Sequence, residues 1–441
     1  MVEQSRFTPK TAMAVVVANM IGTGVFTSLG YQVIDIRSVF VLLLLWLVGG
    51  LAALCGALTY AELSASLPRS GGEYHFLDRI YHPAMGFVSG WVSITIGFAA
   101  PTALAAMTFA AYLSAALAGE YEINREIAAI ALVVLLTVTH GFSRHASGGF
   151  QQWFTLAKIL LILLFCALIS VFVQTPQDIK LIPVADDFAL ATGSAFAVSL
   201  IYVNYAYAGW NAATYISNEI ENPRENIPRI MIVGTVTVMI LYLLLNAVFL
   251  YAVPMAELSG KIEIGVIVAE HTFGSTGAMV MGFGLAILLI STVSAMIMAG
   301  PRVLQVIGED YSVFRFLSVI NKRGVPTRAI VSQSLLTIFF ISTATFESIL
   351  VFSGFILGVN SLFAVLGVFV LRHRESKAEP SGYKTWGYPL TPLIYIAITL
   401  WTLIFISLNR PMEAGMGFIV VVMGLILYFI SKRWQSAEVK S

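Results

Sequence analysis

Two short clusters of glycine and polar residues interrupt long apolar runs, and each is suited to bind a ligand through the backbone. One is Gly22-Thr23-Gly24, and the other lies between Asn204 and Asn211. Glycine in a helix interior costs roughly 1 kcal/mol relative to alanine, and lipid offers no partner to freed backbone groups. A helix broken inside a membrane presents N–H groups to a carboxylate at one end and C=O groups to an ammonium at the other. The clusters therefore predict a site for a zwitterion.

Each cluster also has a simpler interpretation. Small residues let neighbouring helices pack closely in a membrane, and asparagines can join helices through side-chain hydrogen bonds. The placement of the clusters favours the binding site, because they occupy corresponding positions in two halves of five apolar runs each. Paired interruptions of this kind are typical of transporters built from inverted repeats.

A single ionisable residue, Lys158, lies seven residues into another apolar run. An ionisable group at this depth is by default a candidate functional residue. The alternative is that its ammonium reaches the cytoplasmic surface, since about 10 Å of helix separates it from Gln151 and Gln152.

The composition indicates that helices crossing a bilayer position these residues. Of 441 residues, 58% are hydrophobic and 11% are charged, whereas soluble chains carry roughly 25% charged residues. A helix needs ~20 apolar residues to cross the hydrocarbon core, and the chain has ten to twelve such runs. We prefer twelve, of which the fourth and ninth are short, and number them segments 1 to 12: 12–34, 39–66, 84–117, 125–141, 152–174, 191–218, 230–253, 276–304, 327–344, 348–370, 390–409 and 415–431.

The basic residues predict the orientation of these segments. With twelve segments, nineteen of the 25 lysines and arginines lie on the side of the N-terminus and five on the other side. The positive-inside rule therefore places both termini in the cytoplasm of a multi-pass protein of the cell membrane. The net charge of +1 gives no indication of a nucleic-acid partner.

The expected organisation has no separate soluble domain. The polar stretch Pro68–His82 is expected to form a loop and a short helix between segments 2 and 3. The predicted parts are a cytoplasmic N-terminus (1–11), a first repeat of segments 1–5 (12–174), a second repeat of segments 6–10 (191–370), segments 11 and 12 (390–431) and a cytoplasmic C-terminus (432–441).

Four stretches resemble the amino acid–polyamine–organocation superfamily, and within it the L-amino acid transporter family and related bacterial permeases. They are Met20–Phe26, Tyr60–Tyr74, Tyr205–Asn211 and Asn218–Arg229. The resemblance implies an all-α integral membrane fold with the five-plus-five inverted repeat of the bacterial leucine transporter. In that fold segments 1 and 6 are unwound, and segments 11 and 12 are peripheral.

The resemblance also implies how a substrate is held. The substrate carboxylate contacts the N–H groups around Thr23 and Gly24, and its amine contacts the carbonyls of Met20 and Tyr205. The Tyr205 ring covers the site from the outside, and Ala208 adds no charge, which favours an uncharged substrate side chain. The substrate-binding residues expected on this basis are Met20, Ile21, Gly22, Thr23, Gly24, Tyr205 and Ala208.

By the same resemblance, Lys158 occupies the position of a sodium ion in sodium-coupled relatives. Its ammonium is expected to bridge the unwound part of segment 1 to segment 8 near Ser291 and Ser294, which predicts transport without sodium. Tyr242 in segment 7 is expected to couple substrate to the lysine, although a buried tyrosine with satisfied hydrogen bonds is an equal alternative. A permanently charged lysine favours an obligatory exchanger, and a lysine that loses its proton favours proton coupling.

The expected function is therefore sodium-independent exchange of neutral, small to medium L-amino acids by alternating access. Proton-coupled symport and a membrane sensor that binds amino acids without moving them stay open. Neutral substrates are favoured because no acidic or basic residue stands in the middle of segments 3, 6, 8 or 10.

Other classes of function and partner are disfavoured. The six histidines are scattered, so no metal site, cofactor or enzyme active site is expected, and no ring of like charges indicates a channel. The expected partners are the amino acid substrate and the lipid bilayer. Cys55 and Cys166 lie in apolar runs, and the loop 118–126 has no cysteine, unlike that of the animal heteromeric transporters. No disulfide-linked heavy subunit is therefore expected.

Overall fold

The computed structural model describes residues 8–117, 122–142, 148–375 and 382–438. Residues 1–7 of the predicted N-terminus (1–11), residues 439–441 of the predicted C-terminus (432–441) and residues 118–121 of the cysteine-free loop lie outside the described residues. Within those residues the regular structure is helical, without a β-strand. Segments 1 to 12 correspond in order to the helices Pro9–Met20 with Gly24–Asp35, Val39–Ser66, Pro83–Val92 with Ala99–Ala116, Arg125–Phe142, Gly148–Phe172, Ser194–Tyr207 with Ala212–Tyr215, Pro223–Ala252, Ile264–Asp310, Thr327–Thr343, Phe346–Glu375, Leu390–Asn409 and Pro411–Glu438.

The membrane-spanning character of these helices follows from their length and apolar composition. In the described part of the chain, nine helices are long and apolar enough to cross a membrane. A tenth span results if Ala185–Thr192 and Ser194–Tyr207, which meet at 62°, are counted together. Segments 4 and 9 are the remaining two, and their helices are short, with 18 and 17 residues. The helical, multi-pass character is confirmed, whereas the number twelve stays a prediction.

Segment 1 is broken at the predicted position. The helix Pro9–Met20 is capped by the Thr8 side chain and ends where Ile21 leaves helical geometry (φ −73°, ψ 78°). The second helix starts at Gly24. A Cβ atom on Gly24 would lie 2.4 Å from the Cα atom of Ala206, so only glycine lets segment 1 cross segment 6 this closely.

Segment 6 is broken as well, in the middle of its polar cluster. The helix Ser194–Tyr207 ends at Ala208, whose backbone is extended (φ −54°, ψ 143°). Gly209 has a φ of +105°, a conformation that residues with a side chain rarely adopt. The chain returns to helix at Ala212. Both predicted interruptions are therefore real breaks in the backbone helix.

The helices of the two halves pack in matched pairs. Segments 1 and 6 cross near their breaks, segment 2 packs against 7, segment 3 against 8, and segment 4 against 9. Segment 5 contacts segments 1, 7 and 8, and segment 10 contacts their counterparts 6, 2 and 3. The contacts of segment 10 with 6, 2 and 3 thus mirror those of segment 5 with 1, 7 and 8.

Segment 11 is less peripheral than the resemblance implies. Its helix packs against segments 2, 6, 10 and 12, and Tyr395, Ile396 and Leu403 belong to the main buried core. Segment 12 contacts segments 3, 10 and 11, and few of its described side chains are buried, while half of them are exposed on the protein surface. Only segment 12 fits the expected outer position.

The stretch between segments 2 and 3 forms the expected loop and short helix. The helix spans Glu73–Ile80 and follows two glycines with positive φ, Gly71 and Gly72. It contacts segment 10 and the start of segment 3, and most of its side chains are buried rather than on the surface.

Candidate functional site

Residues of both breaks line one side of a cavity of about 630 Å³. Segments 3, 8, 10 and 11 supply the other walls. Six of the seven predicted substrate-binding residues line this cavity: Met20, Gly22, Thr23, Gly24, Tyr205 and Ala208.

The cavity extends towards the side that the charge distribution predicts to be cytoplasmic. Along segment 8 its wall runs from Thr292 to Glu309, next to the end of that helix. On the opposite side the rings of Tyr31, Tyr202 and Phe346 stack, with centroids 5.6 and 6.0 Å apart. The described conformation is therefore open at one side and closed by aromatic rings at the other.

A polar group reinforces the closed side. Glu347 accepts hydrogen bonds from the Tyr202 hydroxyl (2.8 Å) and from the Arg410 guanidinium (2.5 Å). These contacts join segments 6 and 10 to the start of segment 12. Sequence reasoning missed them, since aromatic residues and flanking charges are ordinary at the ends of apolar runs.

The carboxylate end of the predicted site is the start of the helix Gly24–Asp35. The first N–H groups of a helix have no acceptor within the helix, and these border the cavity. Thr23 is buried, and its hydroxyl lies beside the Tyr205 phenol. The start of this helix therefore combines backbone N–H donors and the Thr23 hydroxyl with the Tyr205 ring, which is predicted to cover the site.

The carbonyl end carries a hydrogen bond that sequence reasoning did not foresee. The Met20 carbonyl accepts from the Gly22 N–H (2.7 Å) and from the Tyr242 hydroxyl (2.5 Å). The same hydroxyl lies 3.0 Å from the Ala206 carbonyl in segment 6. A hydroxyl has one proton to donate, so Tyr242 donates to one of these carbonyls at a time, and its hydroxyl lies between segments 1 and 6. An ammonium that binds to Met20 has to replace it.

Lys158 bridges segment 1 to segment 8, although not through the predicted serines. It is 3% exposed, and its ammonium donates to the Ile21 carbonyl (3.1 Å) and the Thr292 hydroxyl (2.8 Å). Ser291 instead donates to a carbonyl of its own helix (2.9 Å), and Ser294 bonds to a histidine of segment 4 (2.8 Å). One helical turn holds all three hydroxyls, and only the packing selects Thr292.

The seventh predicted substrate residue, Ile21, faces this lysine. Its carbonyl is taken up by the ammonium, and its side chain is 1% exposed in the core. Ile21 therefore belongs to the lysine contact rather than to the cavity wall. Among the hydroxyls near the lysine, the wall contains Thr292 and Ser294.

A buried carboxylate, Glu73, is the main feature that sequence reasoning missed. It lines the cavity, is 5% exposed, and accepts hydrogen bonds from Tyr60, Asn211 and Tyr215. Burial raises the pKa of Glu73 above the usual value of a carboxyl group. The residue falls in a polar stretch outside the apolar segments, where an acid is normally solvated, so the sequence carries no signal for it.

Charged pairs surround the open end of the cavity. Arg69 donates to both carboxylate oxygens of Asp310 (2.9 Å each), and the Tyr74 hydroxyl donates to the same carboxylate. Arg302 lies 3.7 Å from Glu219. These contacts join the end of segment 8 to the loop before segment 3 and to the end of segment 6.

Known proteins match this chain over nearly its whole length. The large neutral amino acids transporter small subunit 2 of Oryctolagus cuniculus is 27% identical, over 96% of this chain and 80% of its own. The b(0,+)-type amino acid transporter 1 of Mus musculus is 25% identical, over 95% and 86%. The cystine/glutamate transporter of Homo sapiens is 26% identical, over 96% and 84%. The amino acid permease family matches residues 7–429. The chain therefore belongs to the amino acid permease family, a family of transporters and not of enzymes.

Proposed function

We propose that this protein exchanges neutral, small to medium L-amino acids across the cytoplasmic membrane by alternating access, without sodium. The observation that carries the proposal is the cavity that both broken helices line, with a lysine ammonium bound to the carbonyl at the first break. The relatives described above are amino acid transporters, which supports an amino acid as substrate.

The ends of the broken helices suit the two charges of an α-amino acid. The carboxylate binds to the N–H groups at the start of Gly24–Asp35 and to the Thr23 hydroxyl. The ammonium binds to the Met20 carbonyl once its tyrosine donor leaves. It also binds to the Tyr205 carbonyl, which accepts from the Ala208 N–H (3.0 Å) and has a second lone pair.

The cavity wall favours an uncharged substrate side chain. Ala208 contributes only a methyl group at the second break, and Phe98, Pro101 and Ala295 add apolar surface from segments 3 and 8. These residues offer apolar contacts and no charge, so a charged substrate side chain placed against them would lose hydration. Neutral amino acids of small to medium size are therefore the proposed substrates.

The Lys158 ammonium makes a sodium ion unfavourable at the same position. A sodium ion would need carbonyl and hydroxyl oxygens, and the ammonium already holds those of Ile21 and Thr292. Two positive charges about 4 Å apart in a poorly hydrated site repel by several kcal/mol. The proposal therefore includes transport that is independent of sodium.

We further infer a twelve-segment architecture in two inverted repeats with both termini in the cytoplasm. The matched packing of segments 1–5 and 6–10 supports the repeats. A repeat with an odd number of spans starts the next repeat on the opposite side, so five-span repeats are necessarily inverted. Alternating access then corresponds to movement of one group of helices against the other around the two breaks.

Transport is proposed to need no disulfide-linked second subunit. Cys55 lies in the helix of segment 2 and Cys166 is buried in segment 5. Neither position is accessible to a partner through an aqueous loop. The purified chain alone is therefore expected to be active.

The test is uptake of labelled alanine into proteoliposomes that contain only the purified chain. Vesicles are loaded with unlabelled alanine or left empty, with sodium or choline outside, and with or without an inward proton gradient. We expect uptake only into loaded vesicles, at the same rate in sodium and choline. Uptake into empty vesicles driven by the proton gradient would favour the symporter instead. An absolute requirement for sodium would contradict the role of Lys158.

A further inference from the structure

The Glu73 carboxylate ties the helix Glu73–Ile80 to both segment 2 and the inner half of segment 6. One oxygen accepts from the Tyr60 hydroxyl (3.2 Å) and the Asn211 amide (2.5 Å), and the other accepts from the Tyr215 hydroxyl (2.8 Å). The Asn211 amide also donates to the Tyr215 hydroxyl (3.0 Å). This cluster of four side chains is called the Glu73 network below.

The Glu73 network borders the second break directly. Asn211 is the residue that precedes the helix Ala212–Tyr215, and it lies three positions after Ala208 of the proposed substrate site. Glu73, Asn211 and Tyr215 all line the cavity. Water that enters the open side of the cavity therefore has a path to the carboxylate, and a change in the carboxylate acts on the break.

Neutral donors, not cations, hold this carboxylate. The ion pairs found among the described residues do not include Glu73, and the cations at the mouth of the cavity, Arg69 and Arg302, pair with Asp310 and Glu219. The titratable groups that face Glu73 from the packed elements are phenols: Tyr60 of segment 2, Tyr215 of segment 6 and Tyr395 of segment 11. Among the residues that the structure describes, no fixed positive charge pairs with the carboxylate to keep it ionised.

Burial also favours the protonated form. It raises the pKa of Glu73, and the hydrogen bonds from Tyr215, Asn211 and Tyr60 only partly oppose that effect. A buried carboxyl group without a cationic partner keeps its proton to a higher pH than an exposed one. The ionised form is the one that accepts all three hydrogen bonds.

We propose that Glu73 binds and releases a proton during each transport cycle, and that this proton controls how the inner half of segment 6 is attached. A hydronium ion in the cavity water gives up the proton, so that one of its O–H bonds breaks, an O–H bond forms on one carboxylate oxygen, and a water molecule is left. That oxygen becomes a donor, so the donors that faced it lose an acceptor or must reorient. When the proton returns to water, the attachment forms again.

The proposal rests on the proposed transport function and adds the direction in which pH shifts the conformation. Ionised Glu73 stabilises the described conformation, which is open towards the predicted cytoplasmic side. Protonated Glu73 weakens it. A lower pH on both sides of the membrane is therefore expected to shift the protein away from this conformation.

The experiment measures alanine exchange in proteoliposomes from pH 5 to pH 8, with equal pH on both sides, for four full-length proteins. The wild type is expected to show a pH-dependent rate, and E73Q a rate that does not change with pH. Y215F removes one donor to the ionised form and is expected to move the midpoint upwards by roughly one unit. E225Q is the matched control, because Glu225 is an exposed acid in the first turn of the helix Pro223–Ala252 and does not line the cavity. It is expected to keep the wild-type profile.

The outcomes separate this proposal from the proposed function. Exchange by the wild type with a flat pH profile, or an unchanged profile in E73Q, would overturn the role of Glu73 and leave transport intact. Absence of alanine exchange at every pH would overturn the transport function and this proposal with it. If E73Q does not fold, the pH profiles of Y215F and Y60F test the proposal, since each variant removes one donor to Glu73. An unshifted midpoint in both variants refutes the proposal.

Discussion

Replacement of Lys158 by alanine tests the contact that distinguishes this site from a sodium site. The ammonium is 3% exposed and donates to the Ile21 carbonyl and the Thr292 hydroxyl at 3.1 and 2.8 Å. Hydrogen bonds to a charged group contribute roughly 1.5–3 kcal/mol each. Loss of both therefore removes about 3–6 kcal/mol from the interactions that hold the first break against segment 8.

The effect on folding is smaller than the effect on transport. Removal of the ammonium also removes the cost of burying a charge, which offsets part of the loss in the free energy of unfolding. At the first break nothing compensates for the lost hydrogen bond, because the Ile21 carbonyl is left without its donor. If about 3 kcal/mol of this loss falls on the conformational step, exchange slows by roughly 10²-fold.

The assay is the initial rate of alanine exchange in proteoliposomes with equal amounts of folded protein, checked by size-exclusion chromatography. K180A is the matched control, since Lys180 is an exposed lysine in the connection between segments 5 and 6. We expect K180A to exchange at the wild-type rate and K158A to be slower by roughly 10²-fold. Equal rates for K158A and K180A would refute the argument that the lysine organises the break.

Three further substitutions test other parts of the site. G24A places a methyl group 2.4 Å from the backbone of Ala206, so it is expected to abolish exchange and to lower the melting temperature, with an overpacking cost of about 1–3 kcal/mol. E62Q removes the charge of a carboxylate that is 0% exposed and binds Arg372 at 2.8 Å. The melting temperature of this variant in detergent is expected to fall by several degrees, because breaking a buried pair costs roughly 3–5 kcal/mol. Y242F removes the hydroxyl that lies between segments 1 and 6, and it is expected to reduce the maximal exchange rate more than it changes the alanine concentration for half-maximal exchange.

Each of these predictions has an outcome that contradicts it. For G24A the control is G284A, since a Cβ atom on Gly284 meets nothing within 4 Å, and equal exchange by the two variants would show that the crossing tolerates a side chain. A wild-type melting temperature for E62Q would mean that the ion pair does not stabilise the fold. A wild-type maximal rate for Y242F would leave the tyrosine with a packing role only.

Local chemistry explains why the breaks could be predicted from the sequence. Glycine and asparagine are unfavourable in a lipid-facing helix, whatever its neighbours. The residues concerned are Gly22, Gly24 and Gly209, with the asparagines beside the second break. The apolar segments, the two interruptions and the buried lysine therefore follow from residue types and spacing. The family follows in the same way, because four contiguous motifs carry it.

The choice of partners within the site could not be predicted, because it depends on rotation and depth of helices far apart in sequence. Ser291, Thr292 and Ser294 lie within one turn, and a helix rotation of about 100° per residue decides which of them meets Lys158. The Tyr242 hydroxyl reaches carbonyls on two other segments, and Glu73 is buried only because segments 2 and 6 close over it. Sequence by itself determined where the backbone must break and which charge is buried in the membrane. Packing alone decided which oxygen each charge meets, since a hydrogen bond depends on ångström-scale distances that no single segment specifies.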